Sequence, residues 1–347
     1  MSAPFRHVDR DQTIIFGSGA LEAAGDLIGS GYVLLTTPRA EAAVPSLSEK
    51  AVSVVYVPPG QVDAVAAAVL DDVRTDGYQP DDGVVDRLVA LGGGRVIDVA
   101  KAVAAAQRLD PPVVIPTSLS GAEMTGVHRH ARGVEQSVPR VRAAVVVNDP
   151  ALSASQPDAE LAASSANALG HAITAVVSAK STPIARAVGS DAIVKLGVGW
   201  GLTTAPGSTA AAGSGDREQI ALGALLAGWA VDRSGLGPHH ALTQTAVRTG
   251  DLSHAATNAA LLPHTLRAFR QRAPEAFAAL DAALGRPVDD LADALWRTAD
   301  TPGLGSLATD AGLREQAVAI AAARPELPRV APAFEADEIR AIYTAAS

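Results

Sequence analysis

The sequence predicts two successive domains of different class, an α/β N-terminal domain with a parallel sheet over residues 1–152 and an all-α C-terminal domain over residues 153–347. Three observations carry that expectation. Up to Pro150, short apolar runs alternate with segments of helical periodicity, the pattern of a doubly wound parallel sheet. From about Ala159 onward the periodicity is helical almost throughout. One apolar run, Arg87–Leu91, leads straight into Gly92-Gly93-Gly94 and a helix, an arrangement that α/β folds use to bring backbone N–H groups to a phosphate. A chain of 347 residues, 48% hydrophobic and 19% charged, is long enough for two cores.

Taken in order, Thr13–Phe16 reads as a short strand closed by Gly17-Ser18-Gly19, followed by helical spacing in ALEAAGDLI. Tyr32–Thr36 is a buried strand that ends at Thr37-Pro38. Val52–Val57 is a strand and Val62–Thr75 a helix. Arg87–Leu91 runs into the glycines, with a helix over Val96–Arg108. Val113–Ile115 precedes Pro116-Thr117-Ser118, and Ala143–Val147 precedes Asn148-Asp149-Pro150. In the second half, breaks fall at Thr182-Pro183, at residues 205–208 and 213–215, at Thr301-Pro302-Gly303 and between Pro325 and Pro332. Abundant alanine with 3% aromatics predicts helices packed closely through small side chains. A ligand is expected in a cleft between the two domains.

A net charge of -9 argues against nucleic acid or an anionic membrane surface as partner, since both demand a basic footprint. With no cysteine, disulfides, thiolate metal sites and cysteine nucleophiles are excluded, so any metal would rest on His, Asp, Glu or Asn. The first residues carry charges where an export signal needs an apolar core, and Ile220–Ala230 is too short to span a bilayer. The expectation is a cytoplasmic protein.

Two groups of residues carry chemistry. The first is LGGGRVIDVAKA with the strand end that follows. Gly92, Gly93 and Gly94 would admit a pyrophosphate, Asp98 and Lys101 stand on the early turns of the helix, and Thr117 and Ser118 supply hydroxyls toward the nicotinamide side of a dinucleotide. A tight turn without a ligand, and helix-dipole compensation for Asp98, are the plain alternatives. The second group is Gly235–His264, which holds four of the eight histidines, at 239, 240, 254 and 264. Metal ligand, proton donor and core residue are all open to a histidine.

FGSG, GGGRVIDVAK, PTSLSGAEMT, NDPALS, NALGHAITA and the histidine segment together resemble the iron-containing alcohol dehydrogenase superfamily over nearly the whole chain. The resemblance implies an NADH or NADPH site on the α/β domain, with Thr37, Pro38, Gly92, Gly93, Gly94, Asp98, Lys101, Thr117, Ser118 and Thr125 as candidate contacts. NAD-selective members often place Asp where Pro38 stands, so relaxed choice between NADH and NADPH is expected. Metal-binding members use an Asp and a His four residues apart, then two histidines fourteen residues apart. Here these positions are Asn167 and His171, then His240 and His254. An amide in place of the Asp points to a site without metal; if a metal is held, His171, His240 and His254 would hold it.

Asn167, the double His239-His240 and the EMT run are similar to the maleylacetate reductase branch. That likeness implies NAD(P)H-dependent reduction of a conjugated, carboxylated C=C or C=O, with His240 or His254 giving a proton and His171 and Asn167 orienting polar groups. Gln244 departs from the branch, which has a histidine there. Ala241 and the run AVRTGDLS also depart, which implies altered substrate contacts. The cluster His128-Arg129-His130-Ala131-Arg132 would hold a carboxylate if it faces the cleft, or be a solvated loop. His7 and His264 are expected to be structural, and His239 to pack behind His240. The alternatives are a metal-dependent alcohol dehydrogenase, a cyclase or lyase reusing the scaffold, and a cofactor-binding protein without turnover. A small-molecule partner and a homodimer are what the family suggests.

Overall fold

The structure, a computed structural model, describes residues 4–75, 87–153, 156–203 and 216–347. It divides into two compact units, Met1–Ser155 and Gln156–Ser347. The expected breaks at residues 205–208 and 213–215 lie outside the described residues.

The first unit is built on a seven-stranded sheet: β1 Phe5–Asp9, β2 Gln12–Phe16, β3 Tyr32–Thr36, β4 Ala51–Tyr56, β5 Leu88–Gly92, β6 Val113–Pro116 and β7 Val145–Asn148. The spatial order is β1-β2-β7-β6-β5-β3-β4, and every neighbouring pair is parallel except β1 with β2. All five residues of β3 and of β5 are buried, which is why these strands read as unbroken apolar runs. β1 has no such run. Four of its five residues are exposed and its side chains face no core, so nothing in FRHVD announces a strand; its pairing with β2 defines it. Helices α1 Ala20–Ala23, α2 Gly25–Ile28, α3 Pro38–Ala43, α4 Pro45–Ser48, α5 Val62–Thr75 and α6 Gly94–Gln107 lie between strands, and α7 Pro150–Ser153 follows the last one.

The strand order creates a switch point. From β3 the chain goes outward to the edge strand β4, then returns to β5 on the other side of β3. The C-terminal ends of β3 and β5 therefore flank a crevice, the place where open α/β sheets take their ligands. Thr36 Oγ1 donates to Leu91 O at 2.9 Å and ties the two strands together at that end.

Lys101 departs from its expected role. It is fully buried on α6, and Nζ donates to the carbonyls of Ala122 at 2.8 Å, Thr125 at 3.1 Å and Val127 at 3.3 Å, with Asp98 Oδ1 at 2.8 Å. An ammonium has three hydrogens, so none is left for a phosphate. Lys101 instead folds the segment that follows β6, and Gln12 Nε2 supports it with bonds to Glu123 O at 3.3 Å and Ala143 O at 3.0 Å.

The second unit is helical among its described residues: α8 Asp158–Val177, α9 Pro183–Gly199, α10 Arg217–Ser234, α11 Pro238–Gly250, α12 His254–Arg272, α13 Pro274–Leu284, α14 Val288–Ala299, α15 Ser306–Thr309, α16 Ala311–Ala322 and α17 Ala336–Ala345. The break at Thr182-Pro183 is a helix start, where Thr182 Oγ1 caps α9 by accepting from Ala185 N at 3.2 Å. The Pro325–Pro332 stretch links α16 to α17 through a short 3-10 helix, Leu327–Arg329. α8 is the centre, packed against α9, α10, α12 and α14 and buried at every residue from Leu161 to Val176. Alanine, serine and glycine fill much of that span, and they let four helices come close to one axis. No helix among the described residues is long and apolar enough to cross a membrane, and Ile220–Ala230 lies within α10.

Replacing Lys101 with methionine strands three carbonyls and Asp98. The expected cost is about 3 kcal/mol, visible as a lowered urea midpoint of the variant.

Candidate functional site

On the first unit the crevice is lined by the turn from β5 to α6. Gly93 caps α6 in an extended conformation, φ -77° and ψ -178°, without a side-chain hydrogen bond, and no acidic residue occupies the first turn. The opening N–H groups of α6 thus have no intrahelical acceptor and suit an anion. None of the three glycines has a positive φ. They are required by close approach: a Cβ at Gly92 would lie 2.6 Å from Val96 Cγ2, one at Gly93 3.0 Å from Ser118 Oγ, and one at Gly94 2.7 Å from Ser120 Oγ. This brings the half-buried Ser118 against the glycine turn, and Thr117 N donates to Gly92 O at 3.0 Å. Asp98, also half-buried, is held by Lys101. Thr125 is buried and offers its carbonyl to the same lysine. At the end of β3, Thr37 Oγ1 accepts from Ala40 N at 3.3 Å to cap α3, and Pro38 is exposed.

In the cluster from His128 to Arg132 the two histidines are turned inward, whereas the Arg132 side chain is largely exposed. His128 and His130 are buried; His128 Nε2 accepts from Val141 N at 3.1 Å, and its Nδ1 lies 2.9 Å from Arg129 O. Burial lowers the His128 pKa to about 4, so the ring is neutral. Arg129 and Arg132 stand 3.7 and 4.0 Å from Asp63. In the same segment, burial pushes the Glu123 carboxyl up to about 7.

On the second unit three helices bring the remaining candidates together. Asn167 and His171 sit one turn apart on α8, His239, His240 and Gln244 lie on α11, and His254 opens α12. His240 Nε2 lies 3.1 Å from Asn167 Oδ1. An amide oxygen only accepts, so Nε2 carries the proton and Nδ1 is the basic nitrogen of this ring. The His171 ring stacks on His240 with centroids 4.1 Å apart and planes 15° apart. His239 meets His240 edge-on at 5.3 Å, and its two nitrogens lie 2.8 Å from Thr265 Oγ1 and 3.0 Å from Asn258 Oδ1. Gly170 makes room for that ring: a Cβ there would fall 2.5 Å from His239 Cδ2.

His171, His239 and His240 are 5%, 0% and 2% exposed, and this decides their charge. Burial, followed by repulsion from neighbouring histidines, lowers His171 to about 3; burial lowers His239 to about 4, and His240 falls well below the ordinary value. The Nδ1 atoms of His171 and His240 are buried without a hydrogen-bond partner. His254 is exposed, and its charge is felt by the other three rings. Gln244, one turn beyond His240, accepts from Arg324 Nη2 at 3.0 Å, and Arg324 also grips Glu326 with both nitrogens at 3.0 Å. His264 lies apart from the cluster, beside Trp296 and Arg267, and His7 is on the exposed strand β1. Asn258, Thr265 and Arg324 escaped the sequence analysis. The first two had a signal, since 254, 258 and 265 fall on one face of the helix and are all polar.

Two family patterns cover most of the chain: that of the iron-containing alcohol dehydrogenases matches residues 11–150, and that of the C-terminal region of the same family matches residues 161–346. The chain belongs to the iron-containing alcohol dehydrogenase family. It is 32% identical over 288 residues to a maleylacetate reductase from Sphingobium indicum, covering 78% of this chain and 77% of that one. Among solved structures, maleylacetate reductase from Rhizobium sp. strain MTP-10005 superposes with a TM-score of 0.76 at 26% identity, covering 100% of this chain and 98% of the other. That of Agrobacterium tumefaciens gives 0.75 at 25% identity with the same coverage. Within the iron-containing alcohol dehydrogenases the chain falls in the maleylacetate reductase-like branch, and it is an NAD(P)H-dependent oxidoreductase. The expected family and fold class are both found.

The three buried imidazoles make stability depend on pH in a fixed direction. Their folded pKa values lie below the unfolded value near 6.5, so unfolding takes up protons as pH falls from about 6.5 toward 4. Stability is full above that window and is lost through it, at about 1.4 kcal/mol per pH unit for each ring. Urea midpoints for the helical unit measured across pH 4 to 8 check this.

Proposed function

We propose that this oxidoreductase reduces the conjugated C=C of a carboxylated oxo-acid, of the kind that maleylacetate reductases take, with NADH or NADPH and without a metal ion. The observation that carries the metal-free part is the hydrogen bond between His240 Nε2 and Asn167 Oδ1. A family site for iron needs an anionic donor beside its histidines, and this site offers a neutral amide whose oxygen is already engaged. The donor set of Asn167, His171, His240 and His254 therefore does not fit a divalent cation.

The glycine turn does fit a dinucleotide, with the first N–H groups of α6 and the hydroxyls of Thr117 and Ser118 as its contacts. When bound, the reduced nicotinamide supplies hydride to the electrophilic carbon of the substrate. The electron pair displaced from the C=C runs to the substrate carbonyl, and the adjacent carbon or the enolate oxygen must then be protonated. His240 is held neutral by burial, and a neutral imidazole is a poor acid. His254, exposed at the start of α12, is the proton donor in this proposal, with His240, His171 and Asn167 shaping the surface beneath the substrate. A carboxylated substrate, a homodimer and a cytoplasmic location complete the proposed reading.

Consumption of NADH or NADPH with maleylacetate tests the reaction. His254→Ala is expected to lower kcat by a hundredfold or more, the usual size of a general-acid contribution. Activity should survive chelation. Stoichiometric iron or zinc that tracks activity would overturn the metal-free reading, and full activity in His254→Ala would move the proton donor elsewhere.

A further inference from the structure

The opening of α12 is held from the side and not by a cap. Ser253 stands at the N-cap position with φ -65° and ψ 127° but makes no side-chain cap hydrogen bond, and residues 253 and 254 are both exposed. A first turn without a cap frays, because its N–H groups have no acceptor inside the helix. Asn258, fully buried one turn on, supplies a different anchor: its Nδ2 donates to His254 O at 3.0 Å. A carbonyl only accepts, so this bond decides which end of the amide is the nitrogen.

The rest of the network follows from that orientation. Asn258 Oδ1 faces His239 Nε2 at 3.0 Å, so Nε2 carries the proton of this neutral ring and Nδ1 is left as an acceptor. Thr265 Oγ1, 2.8 Å from Nδ1, serves as its donor in place of its alternative acceptors, Leu261 O and Leu262 O at 3.1 Å. Thr243 Oγ1 gives its one hydrogen to His239 O at 2.9 Å, closer than its 3.3 Å approach to Asn258 Oδ1. Asn258 and Thr265 lie on one face of α12 with Pro263 between them. Proline has no N–H for the carbonyl of Ala259, so the His239 ring spans a missing rung of the helix. A chain of bonds thus runs from the backbone of His254 through Asn258 to a ring sealed over Gly170.

We propose that Asn258 is the positioning residue of His254, a role that rests on reading His254 as the proton donor. An exposed histidine on an uncapped turn delivers a proton to one place only if its backbone is held. Asn258 holds it at the carbonyl and takes its own orientation from His239, without being exposed to any ligand itself. The paired histidines then have separate tasks: His240 meets Asn167 of α8, and His239 faces α12 and steadies the turn that carries the donor.

Asn258→Asp tests this, since it keeps the size of the side chain and an acceptor for His239 Nε2 and removes the donor to His254 O. Hydrogen exchange needs neither substrate nor cofactor. In the variant the amides of Thr257 and Ala259 should exchange about tenfold faster, with those of α8 unchanged, because a local opening leaves the rest of the unit closed. In wild type the side-chain N–H signals of Asn258 should be protected, a measurement that stands even if the variant fails to fold. With maleylacetate and NADPH or NADH, kcat of Asn258→Asp should fall by about ten- to a hundredfold, the cost of a misplacement near 1 Å, while KM for the cofactor stays as in wild type. The double variant His254→Ala with Asn258→Asp should be no slower than His254→Ala alone, because Asn258 acts through His254. Losses that multiply, wild-type exchange in the first turn of the variant, or unprotected Asn258 N–H groups would each overturn the positioning role. Full activity in His254→Ala would remove the proton donor, and the role of Asn258 with it, whereas a slow His254→Ala with multiplying losses overturns Asn258 alone. If wild type does not turn over maleylacetate, the substrate reading fails and the exchange result decides for or against the anchor.

Discussion

The helical unit depends on how closely other helices approach α8. That helix is buried from Leu161 to Val176, and its neighbours reach it because many of its side chains are a single carbon or none. Close approach leaves no water between helices, so any polar ring placed there is dry. His239 shows the coupling directly. Its ring occupies the space over Gly170 that any side chain would fill, and from there it bonds Asn258 and Thr265 of α12 and meets His240 edge-on. Small residues on one helix thereby set the orientation of rings on a second and the anchoring of a third.

Dry surroundings also settle the charge of the cluster, and Asn167 is the residue that lets them do so. A carboxylate at this position, against His240, would favour imidazolium and oppose the effect of burial, because an opposite charge within a few ångströms stabilises the charged form. The amide accepts the same hydrogen bond and contributes no charge. His171, His239 and His240 are therefore all neutral near pH 7, and two stacked rings are tolerated where two imidazoliums would repel. The exposed His254 differs from these three rings in lying at the start of α12, outside the dry interior.

What the sequence made legible follows from what is local. Strands β3 and β5 were readable because both faces are buried, and the glycine turn because strand and helix adjoin it. Asn167 and His171 could be paired from their spacing of one turn. β1 was not readable, since an exposed strand has no apolar pattern and exists only through β2. The stack of His171 on His240 and the hold of Arg324 on Gln244 join residues far apart in the chain, and no periodicity reports such contacts. The burial inside HRHAR was hidden for a related reason. Charge on paper says nothing of burial, and His128 and His130 are folded inward while Asp63 faces the arginines.

Lys101 is the most informative departure, because it shows that one short motif does two kinds of work. In GGGRVIDVAKA the glycines accept close neighbours, while the lysine two turns on from Gly94, on the same face of α6, gathers the carbonyls of Ala122, Thr125 and Val127. The segment so held lies just beyond Ser118 and Ser120, whose side chains crowd the glycine turn. A phosphate cradle formed by backbone N–H groups works only if that backbone is fixed before the ligand arrives, since ordering it on binding would reduce the affinity gained. The buried ammonium fixes the segment that includes Ala122, which also lies against Gly94. Lys101 thus acts by holding in place the segment that follows β6, and its three N–H groups are all spent on that segment.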